Sequence, residues 1–180
     1  MVADPVPSGG AARTRRYSDR VDHPGAPARR RWQEGLIVVA VAAEAAATTL
    51  LATSAIARMN LLLHGVEDFK IVREDTLRSP AFYTGNNLAQ FDCVVANPPF
   101  SLKNWGEPEW ASDKWGRNAL GGVPPKGYAD WAWVQHMITS AKPKTGRVAV
   151  VLPQGALFRQ GAEARIRTHV LKSDLVDAVI

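Results

Sequence analysis

The sequence predicts an α/β fold built around a parallel sheet, and three observations carry that expectation. Residues 91–96 (Phe-Asp-Cys-Val-Val-Ala) and 147–152 (Arg-Val-Ala-Val-Val-Leu) are short apolar runs followed by proline, as buried strands often are. Residues 128–141 and 162–171 read as helices, the first with Trp131, Val134 and Ile138 on one face. Strands that alternate with helices imply crossover connections, and crossovers make parallel pairs.

Taken in order, residues 1–35 form a leader rich in Gly, Pro, Ala and Arg, with no periodic apolar pattern, and are expected to be disordered. The leader carries seven arginines, among them Arg29-Arg30-Arg31, against four acids and no lysine. A basic tail of this kind is open to phosphate contact or to simple solvation. Its composition also matches a GC-rich gene read out of frame or from a wrong start, a hypothesis that an intact frame on resequencing would sink. Residues 36–180 hold fifteen basic and thirteen acidic groups, so most of the +5 net charge lies in the leader. Net charge therefore says little about partners of the main body.

Residues 36–57 contain one charge, Glu44, and approach the length of a membrane span. Ala and Thr outnumber Leu and Ile there, which favours a strand over 36–41 followed by an Ala-rich helix to about His64, without membrane association. The long Pro-rich leader argues against a signal peptide. Ile56, Met59 and Leu63 form a helical stripe, and Gly65 suits the helix C-cap. Residues 69–73 read as a short strand leading to Glu74-Asp75-Thr76-Leu77. The segment 101–127 is a long loop rich in Gly, Pro, Trp and Lys, and residues 175–180 begin a further strand. The single cysteine, Cys93, excludes a disulfide framework and reads as a buried hydrophobe within its strand. The four histidines lie too far apart to suggest a metal site, and none is assigned.

The chemistry concentrates at Asn97-Pro98-Pro99-Phe100, where the strand over 91–96 ends. Open α/β sheets bind ligands at this carboxyl edge. An Asn side-chain carbonyl and a proline backbone carbonyl can accept both N–H groups of an exocyclic amine, localising its lone pair for attack. An adjacent aromatic face can hold a flat base. The competing reading is a turn in which two prolines merely end the ladder.

From Arg58 to Ile180 the chain resembles the modification (M) subunits of type I restriction–modification systems. The matching pieces run in order through Ala57-Arg58-Met59-Asn60-Leu61-Leu62-Leu63-His64-Gly65, Glu74-Asp75-Thr76-Leu77 and Asn97-Pro98-Pro99-Phe100-Ser101-Leu102-Lys103. Tyr128-Ala129-Asp130-Trp131, Gly146-Arg147-Val148-Ala149-Val150-Val151-Leu152-Pro153 and Gly155-Ala156-Leu157-Phe158-Arg159 follow. The later segments disfavour a protein-glutamine methyltransferase sharing the Asn-Pro-Pro turn.

The resemblance implies a partial class I (Rossmann-like) methyltransferase sheet with flanking helices over 36–180. It implies an adenine-specific N6 DNA methyltransferase that uses S-adenosylmethionine and works in the cytoplasm. Double-stranded DNA and the specificity (S) and restriction (R) subunits would be its partners. Asn97 and the Pro98 carbonyl would receive the adenine N6 amine, and Phe100 would stack on the flipped base. Asp75 would contact the cofactor's adenine, with turn capping as its competing role; Glu44 would be the ribose-binding acid.

The family usually has Gly where this chain has Glu74, and Glu44 lies farther from Arg58 than in the family pattern. The Gly-rich cofactor loop survives only as Asp4-Pro5-Val6-Pro7-Ser8-Gly9-Gly10, in which Pro7 replaces a Gly and has no N–H to offer a ligand. The remaining catalytic sheet and the helices that meet the S subunit would lie beyond Ile180. A second expectation therefore stands beside the enzyme: a catalytically inactive remnant lacking the cofactor motif. Trp105, Trp110 and Trp115, interleaved with Lys103, Lys114, Arg117 and Lys126, admit both a nucleic-acid surface and plain packing. Arg159, Arg165 and Arg167 admit a face toward DNA, with a solvated helix face the favoured reading.

Overall fold

The computed structural model of the chain describes residues 47–66 and 68–180. The expected leader over 1–35, the strand over 36–41 and Glu44 lie outside the described residues. Helix α1 covers Ala47–Leu63 and ends as expected at Gly65. The Gly65 and Val66 amides donate to the carbonyls of Leu62 and Leu61 at 3.0 and 2.9 Å, while Gly65 takes φ 75°. These paired bonds satisfy orphan carbonyls of the last turn in a Schellman motif. The predicted stripe on α1 does not become core: Ile56, Met59 and Leu63 are exposed.

Residues 69–73 are irregular rather than a strand. They have no ladder partner among the described residues, and an extended run becomes sheet only when a neighbour takes its backbone groups. Next comes a small antiparallel hairpin, β1 (Tyr83–Thr84) with β2 (Asn87–Leu88), in register Tyr83↔Leu88. The hairpin was not expected, although Gly85-Asn86 between short strands is a turn signal; Gly85 supplies the required positive φ of 59°.

The parallel pair forms as expected. β3 (Cys93–Ala96) lies alongside β4 (Arg147–Val150), with Cys93 opposite Arg147 and Ala96 opposite Val150. Between them runs α3 (Asp130–Thr139), shorter than the predicted helix by its flanking residues. The Phe91 amide donates to the Ser140 carbonyl and the Lys142 amide donates to the Phe91 carbonyl, both at 2.9 Å. These bonds join the end of α3 to the start of β3. After β4, α4 (Ala162–Lys172) packs back on α3. Residues 175–180 do not form the expected strand; they are exposed and have no ladder partner among the described residues, and Asp177 pairs with Arg147 at 2.8 Å.

Eight consecutive residues of α3, Asp130 to Met137, are buried. Trp131 and Val134 pack against Ile166 and Val170 of α4, with Ile138 alongside, as the sequence pattern predicted. Met137 packs with Phe91 and Val94 of the β3 segment. Ala132 and Trp133 meet Leu77, Trp105 and Trp110. The loop over 101–127, which contains α2 (Glu107–Trp110), is therefore a wall of the core. Trp105, Trp110 and Trp115 are buried, so for them the packing alternative holds.

Arg117, grouped by sequence with exposed bases, is also buried. Its guanidinium pairs with Asp113, donates to the carbonyls of Thr76 and Leu77 at 3.2 and 2.9 Å, and lies 3.9 Å from the Trp110 ring. A guanidinium can satisfy this many acceptors at once because its donors lie in a rigid planar fork. Its remaining contact is with Nδ1 of His136 at 3.3 Å. The guanidinium has only donors, so Nδ1 must be the bare nitrogen of the neutral ring. Burial, reinforced by the Arg117 charge and opposed by Asp113, depresses the His136 pKa from 6.5 to about 3.

Two measurements test this core. Trp110 Nε1 donates to Gln135 Oε1 at 3.0 Å, whereas the equally buried Trp133 Nε1 has no hydrogen-bond partner among the described residues. Trp110→Phe should therefore cost about 1–3 kcal/mol more than Trp133→Phe in urea unfolding, because only the former strands a buried acceptor. His136 is neutral when folded and takes a proton more readily when unfolded. Its contribution should be complete above pH 6.5 and decline as pH falls toward 3. The slope approaches about 1.4 kcal/mol per pH unit, and His136→Gln should remove that one-proton component from unfolding free energies measured across the range.

Candidate active site

The parallel pairing carries β3 forward until proline stops it, which leaves the next four residues at the carboxyl edge of the pair. The Val151 amide still donates to the Ala96 carbonyl at 3.1 Å, so β4 steadies the last residue before the turn. Pro98 is buried, while Asn97 is exposed and Phe100 is 50% exposed. The Asn97 amide and the Pro98 carbonyl have no hydrogen-bond partner among the described residues. Two acceptors and a half-exposed ring are thus available beside one another in sequence, on backbone fixed from below by a buried proline.

The other side of the turn is also held. Ser101 follows Phe100 with φ 52°, in the left-handed region that non-glycine residues rarely occupy. Its amide donates to Asp130 Oδ1 at 2.8 Å, from the first residue of α3. Asp130 Oδ2 accepts from Arg159 Nη2, and Arg159 Nε donates to Glu163 Oε2 at 2.8 Å. The Arg159 guanidinium lies 4.3 Å from the Tyr128 ring. Burial raises the Glu163 pKa and the Asp130 charge adds to the rise, while Arg159 and Arg167 oppose it.

These contacts correct the expectation for the arginines. Only Arg165 is exposed as predicted. Arg159 is locked between two carboxylates, and Arg167 donates to the carbonyls of Ala156 and Arg159, both at 3.1 Å. The Arg159–Glu163 pair has helical i, i+4 spacing and was legible as a local ion pair. Its link to Asp130, 29 residues away, was not.

Asp75 takes the capping role weighed against cofactor contact. Its Oδ1 accepts the amides of Leu77 and Arg78 at 3.1 and 3.0 Å. The Asp75 turn reaches the segment after Phe100 through Arg78 Nη2, which donates to the Asn104 carbonyl. Beside it, Glu74, Thr76, Phe82, Val94, Ala96 and His136 help line a cavity of about 50 Å³. Sites for small organic ligands usually measure about 300–1,000 Å³. That cavity is therefore too small for a nucleoside-sized methyl donor.

A family model described as N-6 DNA Methylase matches residues 47–180. The chain is 39% identical over 132 residues to the type I restriction enzyme MjaVII methylase subunit of Methanocaldococcus jannaschii, an alignment covering 69% of this chain and 22% of that protein. It is 33% identical over 128 residues to the HindI methylase subunit of Haemophilus influenzae, covering 69% and 27% of the two chains. The crystal structure of a type I restriction-modification system methyltransferase subunit from Streptococcus thermophilus superposes with a TM-score of 0.66 at 29% identity, covering 83% of this chain and 36% of that one. The matched region thus spans about a quarter of the length of these curated relatives. With the family match running from α1 to Ile180, across the whole Asn97–Phe100 edge and its supports, this chain belongs to the N-6 DNA methylase family.

Proposed function

We propose that this chain is the target-base portion of an adenine-N6 DNA methyltransferase subunit of a type I restriction–modification system. The observation that carries the reading is the pair of unengaged acceptors, Asn97 and the Pro98 carbonyl, next to the half-exposed Phe100. An adenine N6 amine offers two N–H donors, and two oxygen acceptors draw its lone pair out of conjugation with the ring. The Phe100 ring offers a stacking face for the base. In a duplex that amine is paired and stacked, so the base must be flipped, at an unpairing cost of a few kcal/mol. The chemistry needs no strong general base, because the amine can lose its proton after attack.

S-adenosylmethionine is the methyl donor on this reading. Double-stranded DNA and the S and R subunits are the partners, with the recognised DNA sequence belonging to the S subunit, and the cytoplasm is the site of action. The 36–180 region is the partial catalytic domain and 1–35 a leader outside it. Asp75 and Glu44 are the proposed cofactor contacts. No chemical step is assigned through the donor, since Glu44 lies outside the described residues and Asp75 Oδ1 is engaged by the amides of its own turn.

A second reading keeps the same ancestry without activity: a remnant that retains the base pocket and binds no donor. The cavity of about 50 Å³ beside an Asp75 already engaged as a cap favours it. Calorimetric titration of the purified chain with S-adenosylmethionine separates the two. Micromolar binding defeats the remnant, and absence of binding defeats autonomous catalysis. Where the chain does methylate adenine, Asn97→Ala should slow transfer by about 10²–10³-fold, the usual effect of removing one preorganised polar contact to the transition state.

A further inference from the structure

We propose that Asp130 is the positioning residue of the Asn97–Phe100 turn, holding the Ser101 amide through a buried carboxylate that Arg159 and Glu163 clamp in place. The inference rests on reading that turn as a base pocket.

An acid in the first turn of a helix ordinarily caps it or favours its dipole. Asp130 is fully buried, and its Oδ1 reaches the Ser101 amide at 2.8 Å, across 29 positions of sequence. Ser101 needs such a hold, because a serine at φ 52° persists only where its surroundings fix it. Phe100 is the adjoining residue, so the amide that Asp130 holds sets the direction of the chain just after the aromatic face.

Arg159 in turn has little freedom. It bridges Asp130 and Glu163, stacks 4.3 Å from Tyr128, and has its own carbonyl held by Arg167 at 3.1 Å. Gly155 leaves room for it: a Cβ there would lie 3.0–3.2 Å from three guanidinium atoms. Glu163 is also buried, and its Oε1 has no hydrogen-bond partner among the described residues. Buried ion pairs contribute little net stability over an apolar replacement. The consequence of this triad is therefore positional: α3, Arg159 in the segment before α4, and α4 itself converge on one backbone amide beside the pocket.

The test uses the full chain and two NMR measurements. In the first, Asp130→Ala should accelerate hydrogen exchange of the Ser101 amide by about tenfold or more, the equivalent of one hydrogen bond to a charged group. Exchange at Val94 and Val148 should stay near wild type. Should the alanine variant fail to fold, Arg159→Lys, which keeps the charge and loses the planar fork, should accelerate the same amide several-fold. Unchanged Ser101 exchange in a folded Asp130→Ala chain, or in Arg159→Lys where that must stand in, overturns the proposal.

In the second measurement, adenosine is titrated while the Phe100 ring signals are followed. Asp130→Asn should weaken binding, and Asn97→Ala should abolish it. Wild-type affinity in an Asp130→Asn chain whose Ser101 amide has been freed overturns the positioning role. Wild-type affinity in Asn97→Ala, or no binding by the parent chain, overturns the base-pocket reading alone, and Ser101 exchange then decides the positioning role.

Discussion

Burial of α3 on every side is the constraint on which the rest of the structure depends. A helix exposed on one face can spend that face on solvated polar groups. α3 cannot, because eight of its ten residues are buried. Three of its buried polar side chains find partners outside the helix. Asp130 meets Ser101 and Arg159; Gln135 meets Trp110 and the carbonyls of Leu120 and Gly122; His136 meets Arg117. The polar positions that would ordinarily mark a solvent face act here as fasteners.

This places the tryptophans of the segment over 101–127 in the core rather than on its surface. Trp105 and Trp110 pack edge to face with centroids 5.2 Å apart, against Trp133 of α3. Arg117 and Asp113 neutralise each other inside the same wall. Removing either partner alone would leave a buried charge, which is costly even though the pair itself contributes little. Exposed charge on this segment remains at Lys103, Lys114 and Lys126, with Lys114 resting 3.9 Å from the Trp115 ring.

The base side and the donor side of the proposed site differ in how far they are built. The base side has a buried proline, a strained serine and a buried carboxylate behind it. Around Asp75, proposed for the donor side, the described residues form a capped turn beside a cavity of about 50 Å³. Apolar surface is also left uncovered by the described residues, at Val95 and Val148 of the sheet and at Ile56, Met59 and Leu62 of α1. Parallel sheets in other proteins have both faces covered. Both observations are those of a chain that matches its relatives over about a quarter of their length.

What the sequence determined alone was whatever depends on local period and punctuation. The alternation of apolar runs with helical stripes specified β3, α3, β4 and α4. Pro98 and Pro99 placed Asn97 and Phe100 at a strand end, and the ordered series of motifs identified the family. Pairing and burial could not be read this way, because they depend on which distant segments come to lie side by side. Residues 69–73 and 175–180 have strand-like composition but no ladder partner among the described residues. Trp105, Trp110 and Trp115 admitted both a surface and a packing role until the structure placed them in the core. Asp130 carried no role in sequence, since its partners lie 29 residues away in both directions. Only tertiary packing, which brings segments distant in sequence together, decided that this carboxylate would accept the Ser101 amide.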